Sequence, residues 1–393
     1  MNDIAVMGLG SVLTSLPRIF MRLRRAEHYC TNVLKPHVVL TVDAKGFNLR
    51  LQRRLDNGPW RRMHIVGPSP WALKPLLGAQ NPRTLNLART VDQLFLLMPF
   101  ERSWFTPTTQ CTCIGHPALQ AALPQESFAP ADNAMPEDSS SSHACVAPAA
   151  YVKANPLNPW QRLSLADRVL AKGTSQNNIV AFFPGSRLQE LRWALPLVLE
   201  LAQQMGPSVE WRISTTPGTA AHIQEFLRHR NESDFTFSLE SDPTILYRDA
   251  KAAVAVSGTI VTELAIHNVP SIVIYDADWL TRRAASYLAR VDYVSLPNIL
   301  ADRAIIPEFI FENCTAARIA PALQDLLNSQ AQIAKDHSGS QETQNFAHMQ
   351  SRNLQKVLPH IAVWDNVSQK PRMPADIVAA ALIHRFDELD GRE

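Results

Sequence analysis

The chain has 393 residues, 46% of them hydrophobic, which is enough apolar material for more than one domain core and excludes disorder across the whole chain. Its 38 Lys plus Arg nearly balance 36 Asp plus Glu, for a net charge of +2, so there is no global electrostatic footprint for nucleic acid. The five cysteines, Cys30, Cys111, Cys113, Cys145 and Cys314, are too few and too irregular for a disulfide scaffold and fit a reducing compartment.

The uncharged stretch from Ile4 to Pro17 is too short to span a bilayer and lacks the basic start of a secretory signal. Across Val12 to Arg25, Val12, Leu13, Leu16, Ile19, Phe20 and Leu23 recur at helical spacing, with Arg18, Arg22, Arg24 and Arg25 between them. This predicts a basic amphipathic helix. Its apolar face either packs on the core or rests on anionic lipid, with Val12, Leu13, Leu16, Ile19, Phe20, Arg18 and Arg22 as the membrane-facing set. An Arg-rich, acid-poor start is also the pattern of an organelle transit peptide.

Val38 to Val42 predicts a strand that stops at Asp43, followed by a helix carrying Phe47, Leu49 and Leu51. Met63 to Val66 and Leu94 to Met98 predict two more strands, and Cys111-x-Cys113 reads as alternating strand residues, since no second Cys/His pair offers a zinc-like spacing. Strands separated by helices predict an α/β fold with parallel sheets, which take ligands at the carboxyl ends of their strands. Residues 124–159 turn to Pro, Ala, Ser and acidic residues and read as a linker or insertion. A second α/β unit follows. It has a strand at Asn178 to Phe183, a helix from Arg187 to Met205, a strand at Lys251 to Val256, a helix from Ile260 to His267 and a strand at Ser271 to Tyr275. The expected division is 1–123, 124–159, 160–330 and a helical tail at 331–393.

Pro184-Gly185-Ser186-Arg187 lies between a buried strand and a helix, where free backbone N–H groups suit an anion. Arg187 opposes the helix dipole there, so it either grips a diphosphate or pairs with Glu190. Ser257-Gly258-Thr259 repeats the geometry, with Glu263 behind it either as a ribose acceptor or as a helix cap. Together the two loops suggest a nucleoside diphosphate, although neither matches the P-loop or Gly-x-Gly-x-x-Gly pattern. Asp43 at a strand tip suits a general base, and His116 reads as a hydrogen-bonded structural histidine before it reads as a substrate group. Asp276-Ala277-Asp278 has the form of a metal-binding pair with no further ligand nearby.

Val180 to Arg187, Ser257 to Glu263 and above all Asp292-Tyr293-Val294-Ser295-Leu296-Pro297-Asn298-Ile299-Leu300-Ala301 resemble the signature segments of the lipid-A-disaccharide synthase family. Ala5 to Gly8, Val42-Asp43-Ala44, Pro99-Phe100-Glu101 and Gly115-His116-Pro117 are similar to that family in the same order. The resemblance implies a GT-B glycosyltransferase, with two Rossmann-like domains facing a cleft, that works at a membrane surface without a metal or cofactor. The implied reaction joins UDP-2,3-diacylglucosamine to 2,3-diacylglucosamine 1-phosphate with inversion and releases UDP. It implies Asp43 as general base, Arg187 beside the leaving diphosphate, and Gly185, Ser186, Ser257, Gly258, Thr259, Glu263 and Asn298 at the nucleotide sugar. It also implies a homodimer, located on the cytoplasmic face of a bacterial inner membrane or, in plants and algae, in the mitochondrion.

Three departures from the pattern stand out. The family's initial strand and its Gly-Glu-x-Ser-Gly-Asp loop are expected to be missing from the first domain. Ala44-Lys45-Gly46-Phe47 replaces Ala-Pro-Asp-Phe, as in plant and algal members, and Trp71-Ala72-Leu73 replaces Trp-Ala-Trp. Two other readings therefore stay open: a non-catalytic remnant that binds UDP-sugar or lipid, and a related GT-B enzyme that uses UDP-N-acetylglucosamine.

Overall fold

The computed structural model describes residues 9–69, 72, 90–105, 110–131, 147–154, 178–228, 235–278, 282–283, 291–333, 346–365, 367–368 and 370–390. Ala5 to Gly8, Trp71, Leu73, Cys145 and most of the expected linker (132–146 and 155–159) lie outside the described residues. The chain divides into two units. One comprises Met1–Pro156, Trp279–Val291 and His360–Glu393, and the other Leu157–Asp278 and Asp292–Pro359.

The first unit opens with helix α1 (Leu9–His28), which runs into a π-helical turn at Tyr29–Leu34. It continues through β1 (Val38–Val42), α2 (Lys45–Arg54), β2 (Arg61–Ile65), β3 (Gln93–Leu96), β4 (Cys111–Cys113), α3 (Pro117–Ala122) and α4 (Pro148–Ala154). The four strands form a parallel sheet in the order β1-β2-β3-β4. Cys111 and Cys113 are strand residues, as their alternation predicts. β1 is an outer strand whose Val39 and Thr41 are buried while Leu40 and Val42 are exposed. Helix α2 is pinned beneath it by Gln52, whose buried side-chain amide donates to Val39 O (3.2 Å), Thr41 Oγ1 (2.8 Å) and Met63 O (2.9 Å).

The second unit runs β5 (Ile179–Phe183), α5 (Leu188–Met205), β6 (Glu210–Ser214), α6 (Ala220–Arg228), β7 (Thr236–Glu240), α7 (Pro243–Asp249) and β8 (Ala252–Val256). It then continues through α8 (Thr259–Ile266), β9 (Ser271–Tyr275), α9 (Leu296–Ala301), β10 (Glu308–Ile310), α10 (Ala316–Ile333) and α11 (Phe346–Val357). All six strands are parallel, in the order β10-β9-β8-β5-β6-β7. Every residue of β5 and β8 is buried, as expected of central strands covered by helices on both faces. The chain moves outward from β5 to β7, then returns to place β8 on the other side of β5. That reversal is a topological switch point, where open α/β sheets leave a crevice for ligands.

The expected helical tail at 331–393 carries two helices that fall in different units. α11 belongs to the second unit, but α12 (Pro374–Asp390) belongs to the first, where Ile377 and Ala381 are buried with Met63, Phe95 and Ile114. Burial of those small and branched side chains, rather than chain order, decides membership.

Candidate functional site

The switch point brings together the two loops singled out from sequence, because β5 and β8 pair directly from Val180↔Ala252 to Phe183↔Ala255. At the β5 tip, Gly185 has φ +89, and a Cβ added there would lie 2.1 Å from Glu190 Oε2. The positive φ favours glycine, and any larger residue would have to displace the Glu190 carboxylate. Arg187 is the N-cap residue of α5, one step before its expected position in the first turn. The acid favoured by the helix dipole is Glu190, which accepts from Arg187 N (3.1 Å) through Oε2 and from Arg187 Nη1 (2.8 Å) through Oε1.

The pairing of Arg187 with Glu190 is real but easily outcompeted. The arginine side chain is 40% exposed, and such pairs contribute about 0.2–1 kcal/mol. A charge-assisted bond to phosphate is worth roughly 1.5–3 kcal/mol. The Arg187 Nε–H also has no partner among the described residues, so the guanidinium has unused donor capacity. Ser186, beside it, is exposed.

At the β8 tip, Ser257 Oγ donates to Val294 O (3.3 Å), tying this loop to the Tyr293–Asn298 segment. Gly258 has an extended φ of 168, which any residue can adopt, and a Cβ there would meet nothing closer than Val256 O at 4.0 Å. Among the described residues, the space above Gly258 is open. Thr259, the first residue of α8, is also exposed. Glu263 lies in the second turn of α8, too far along to cap the helix. Its Oε2 accepts from the Tyr247 hydroxyl at 2.6 Å, while Oε1 accepts nothing among the described residues. Tyr247 is fixed by stacking on His267 (4.4 Å between ring centroids) and Phe183 (6.1 Å). Burial, and then the Glu263 carboxylate, push its pKa up, so it remains a donor at physiological pH.

Asn298 corrects an expectation. It is fully buried, and all four of its hydrogen-bonding uses are spent inside the unit. Nδ2 donates to Ile306 O (2.7 Å) and Glu308 Oε1 (2.8 Å), and Oδ1 accepts from Ile305 N (2.8 Å) and Ile306 N (2.9 Å). The side chain therefore braces the loop and does not reach outward to a nucleotide sugar. Glu308 completes the brace by accepting from Val294 N (2.8 Å), Ser295 N (2.9 Å) and Ser295 Oγ (2.5 Å).

In the first unit, Asp43 stands exposed at the β1 tip, and its N–H extends the ladder to Ile65 O (2.9 Å). Next to it Lys45 is half-buried, and burial lowers its pKa against the pull of Asp43 and Glu101. His64, fully buried, bonds Thr41 Oγ1 through Nδ1 (2.9 Å), and burial lowers its pKa to about 4. His116 caps α3 by accepting from Ala118 N (3.2 Å), which is the structural role. Asp276 Oδ1 accepts from Ala277 N (2.7 Å). No group of three or more His, Cys, Asp or Glu with metal-holding geometry occurs among the described residues.

The face of α1 is divided. Leu23 is buried with Val39, Leu51, Leu55 and Trp60, while Ile19, only partly buried, packs against that cluster beside Ala26 and Cys30. Phe20 is 45% exposed, with the Arg24 and Arg54 guanidiniums over its ring at 4.6 and 5.1 Å. Arg18 is exposed and Arg22 half-buried, while the side chains of Val12, Leu13 and Leu16 lie outside those described. Between α1 and α2 a cavity of about 600 Å³ has an apolar floor of Pro17, Ile19, Phe20 and Leu23 and a rim of Arg50, Arg53 and Arg54. No helix among the described residues is long and apolar enough to cross a membrane.

Sequence reasoning missed Tyr247, Glu308 and the α2 arginines. Only the last had a visible signal, three basic residues on one helix.

Comparison with known proteins adds four findings. The model of a family described as lipid-A-disaccharide synthetase matches residues 1–149 and 165–362. The lipid-A-disaccharide synthase of Gluconobacter oxydans is 28% identical over 99% of this chain and 79% of its own length. The probable mitochondrial lipid-A-disaccharide synthase of Arabidopsis thaliana is 29% identical over 88% of this chain and 73% of its own. A solved Listeria monocytogenes structure, a putative UDP-N-acetylglucosamine 2-epimerase, covers 97% of this chain and 80% of its own at a TM-score of 0.52 and 10% identity. That likeness carries the fold alone, the GT-B class of two Rossmann-like units.

Proposed function

Because the chain belongs to the lipid-A-disaccharide synthetase family, we propose that it is an inverting hexosyltransferase acting on UDP-2,3-diacylglucosamine and 2,3-diacylglucosamine 1-phosphate. The observation that carries this reading is the pairing of the Gly185–Arg187 and Ser257–Thr259 loops at the switch point of the second sheet. One loop offers backbone N–H groups and a guanidinium to a diphosphate. The other offers open space over Gly258 and an oriented carboxylate, Glu263, to a ribose.

In the reaction Asp43 accepts the proton of the acceptor 6-hydroxyl as that oxygen bonds to the anomeric carbon. The bond from that carbon to the β-phosphate oxygen breaks, and the electron pair leaves with UDP. Arg187 and the N-terminus of α5 stabilise the charge growing on the departing diphosphate. Asn298 acts through the loop it braces. The exposed Phe20 and the arginine-rimmed cavity between α1 and α2 support a peripheral contact with anionic lipid.

The test is transfer between the two acylated sugars, followed by mass spectrometry of the disaccharide. Asp43→Asn should abolish turnover and leave UDP affinity by calorimetry intact, and Arg187→Ala should weaken UDP binding and rate together. Full activity in Asp43→Asn removes the base assignment. UDP binding by the unaltered chain without disaccharide makes it a non-catalytic binder.

A further inference from the structure

Asp43 and Ala44 are consecutive non-glycine residues with left-handed backbone, at φ 44 and φ 43. L-residues adopt that region singly and at a cost, so two in a row at the end of a strand must be held by their surroundings. The holding group is visible. The Asn48 side-chain amide, in the first turn of α2, donates to Val42 O at 2.8 Å and to Asp43 O at 2.9 Å.

Two carbonyls in succession along a regular strand point to opposite sides, so one NH2 group cannot reach both. The left-handed turn at Asp43 swings the second carbonyl to the side of the first, and only then can Asn48 engage the pair. The two hydrogen bonds from Asn48 therefore favour the left-handed turn. One helical turn further on, Gln52 anchors the same face of α2 to Val39 O and Met63 O. The helix carrying the clamp is thus itself fixed to the sheet.

We propose that Asn48 is a positioning residue. It holds the Val42-Asp43-Ala44 turn in its left-handed form and so aims the Asp43 carboxylate off the β1 tip toward the acceptor hydroxyl. This rests on the reading of Asp43 as the general base and adds a group to it. Asn48 touches no substrate. Its effect is felt in the chemical step alone, because displacing a base from its acceptor changes rate without changing how the nucleotide binds in the other unit.

The experiment compares Asn48→Ala, Asn48→Asp and the double variant Asn48→Ala/Ala44→Gly in the full chain. Transfer kinetics, UDP calorimetry and a thermal melt are measured for each. Asn48→Ala should lower kcat by about tenfold to hundredfold with UDP affinity and the KM for UDP-sugar unchanged. Asn48→Asp, nearly isosteric but with an acceptor facing two carbonyls, should be at least as slow. Glycine at position 44 takes a positive φ without steric cost, so the double variant should recover part of the lost kcat. A merely structural asparagine would lower melting temperature and UDP affinity along with rate, and would gain no kcat from Ala44→Gly. Wild-type kcat in both single variants, or a rate loss matched by loss of UDP binding, overturns the proposal. Asp43→Asn separates the two readings. If it is fully active, the base assignment fails whatever Asn48 does; if it is inactive while Asn48→Ala is normal, only the positioning role fails.

Discussion

Replacing Gly185 by alanine tests, from inside, the loop proposed to hold the diphosphate. The new methyl has to occupy a position 2.1 Å from Glu190 Oε2, on a backbone with φ +89. Three costs follow. Holding an L-residue at positive φ costs about 1–2 kcal/mol. Expelling the Glu190 carboxylate removes its cap on Arg187 N, at about 1 kcal/mol, and its half-exposed pair with Arg187, at under about 1 kcal/mol. The sum is about 2–4 kcal/mol, or roughly 5–15 °C in the melting temperature of a unit this size. Gly258→Ala is the control, because φ 168 suits any residue and its Cβ would have nothing nearer than 4.0 Å. Its stability cost is that of a poorer N-cap, below about 1 kcal/mol. A methyl in the open space should nonetheless crowd a bound nucleotide and weaken UDP by about tenfold. Differential scanning calorimetry and UDP titration of both variants decide the matter. A Gly185→Ala protein that melts like the wild type refutes the packed loop, and a Gly258→Ala protein that binds UDP normally refutes a ligand above that turn.

Tyr247→Phe removes one hydroxyl from the Glu263 carboxylate and should weaken UDP by about fivefold, with little change in kcat at saturation; unchanged affinity would mean Glu263 needs no orienting. His64 and His116 are kept neutral by burial, with pKa lowered from 6.5 to about 4. The unfolded chain therefore binds more protons between those values, and stability falls as pH drops through that window, by roughly 1.4 kcal/mol per unit per histidine. A melting series should follow that slope, and His116→Asn, which keeps a cap, should flatten it. Phe20→Asp should leave the melt unchanged and reduce sedimentation with anionic vesicles, as should Arg50→Glu with Arg53→Glu, whereas Leu23→Asp should destabilise by a few kcal/mol through a buried unpaired charge. Vesicle binding unaffected by Phe20→Asp and the arginine changes would remove the lipid contact.

The central strands were legible because parallel strands buried on both faces read as unbroken apolar runs. β5, β8 and β9 carry Ile, Val, Ala and Phe almost alone. β6 and β7 were not, since Glu210-Trp-Arg-Ile-Ser and Thr236-Phe-Ser-Leu-Glu mix charge and hydroxyls on strands nearer the sheet edge, and β10 has only three residues. The residue types of the site could be read from strand-loop-helix junctions, but not their direction. Asn298 stands in the most distinctive motif of the chain and points inward, because four polar groups of its own loop claim it first. Leu23 and Phe20 belong to one apolar stripe, and only the packing of α1 on Leu51 and Trp60 buries one and leaves the other exposed. Tyr247 reaches Glu263 from a different helix, a contact that no local pattern encodes.

The junction of β5 with β8 has a kinetic side. Val180 pairs with Ala252 across two intervening strands and their helices, whereas β5 with β6 and β6 with β7 are separated by single crossovers. Closing the longest of these loops costs the most chain entropy before any contact rewards it, so this pairing belongs to the late part of folding of the second unit. The two loops proposed to hold the nucleotide do not come together until that step is complete. UDP should therefore slow unfolding of this unit without speeding its refolding, so a nascent or partly opened chain gains nothing from ligand while the finished one is locked by it.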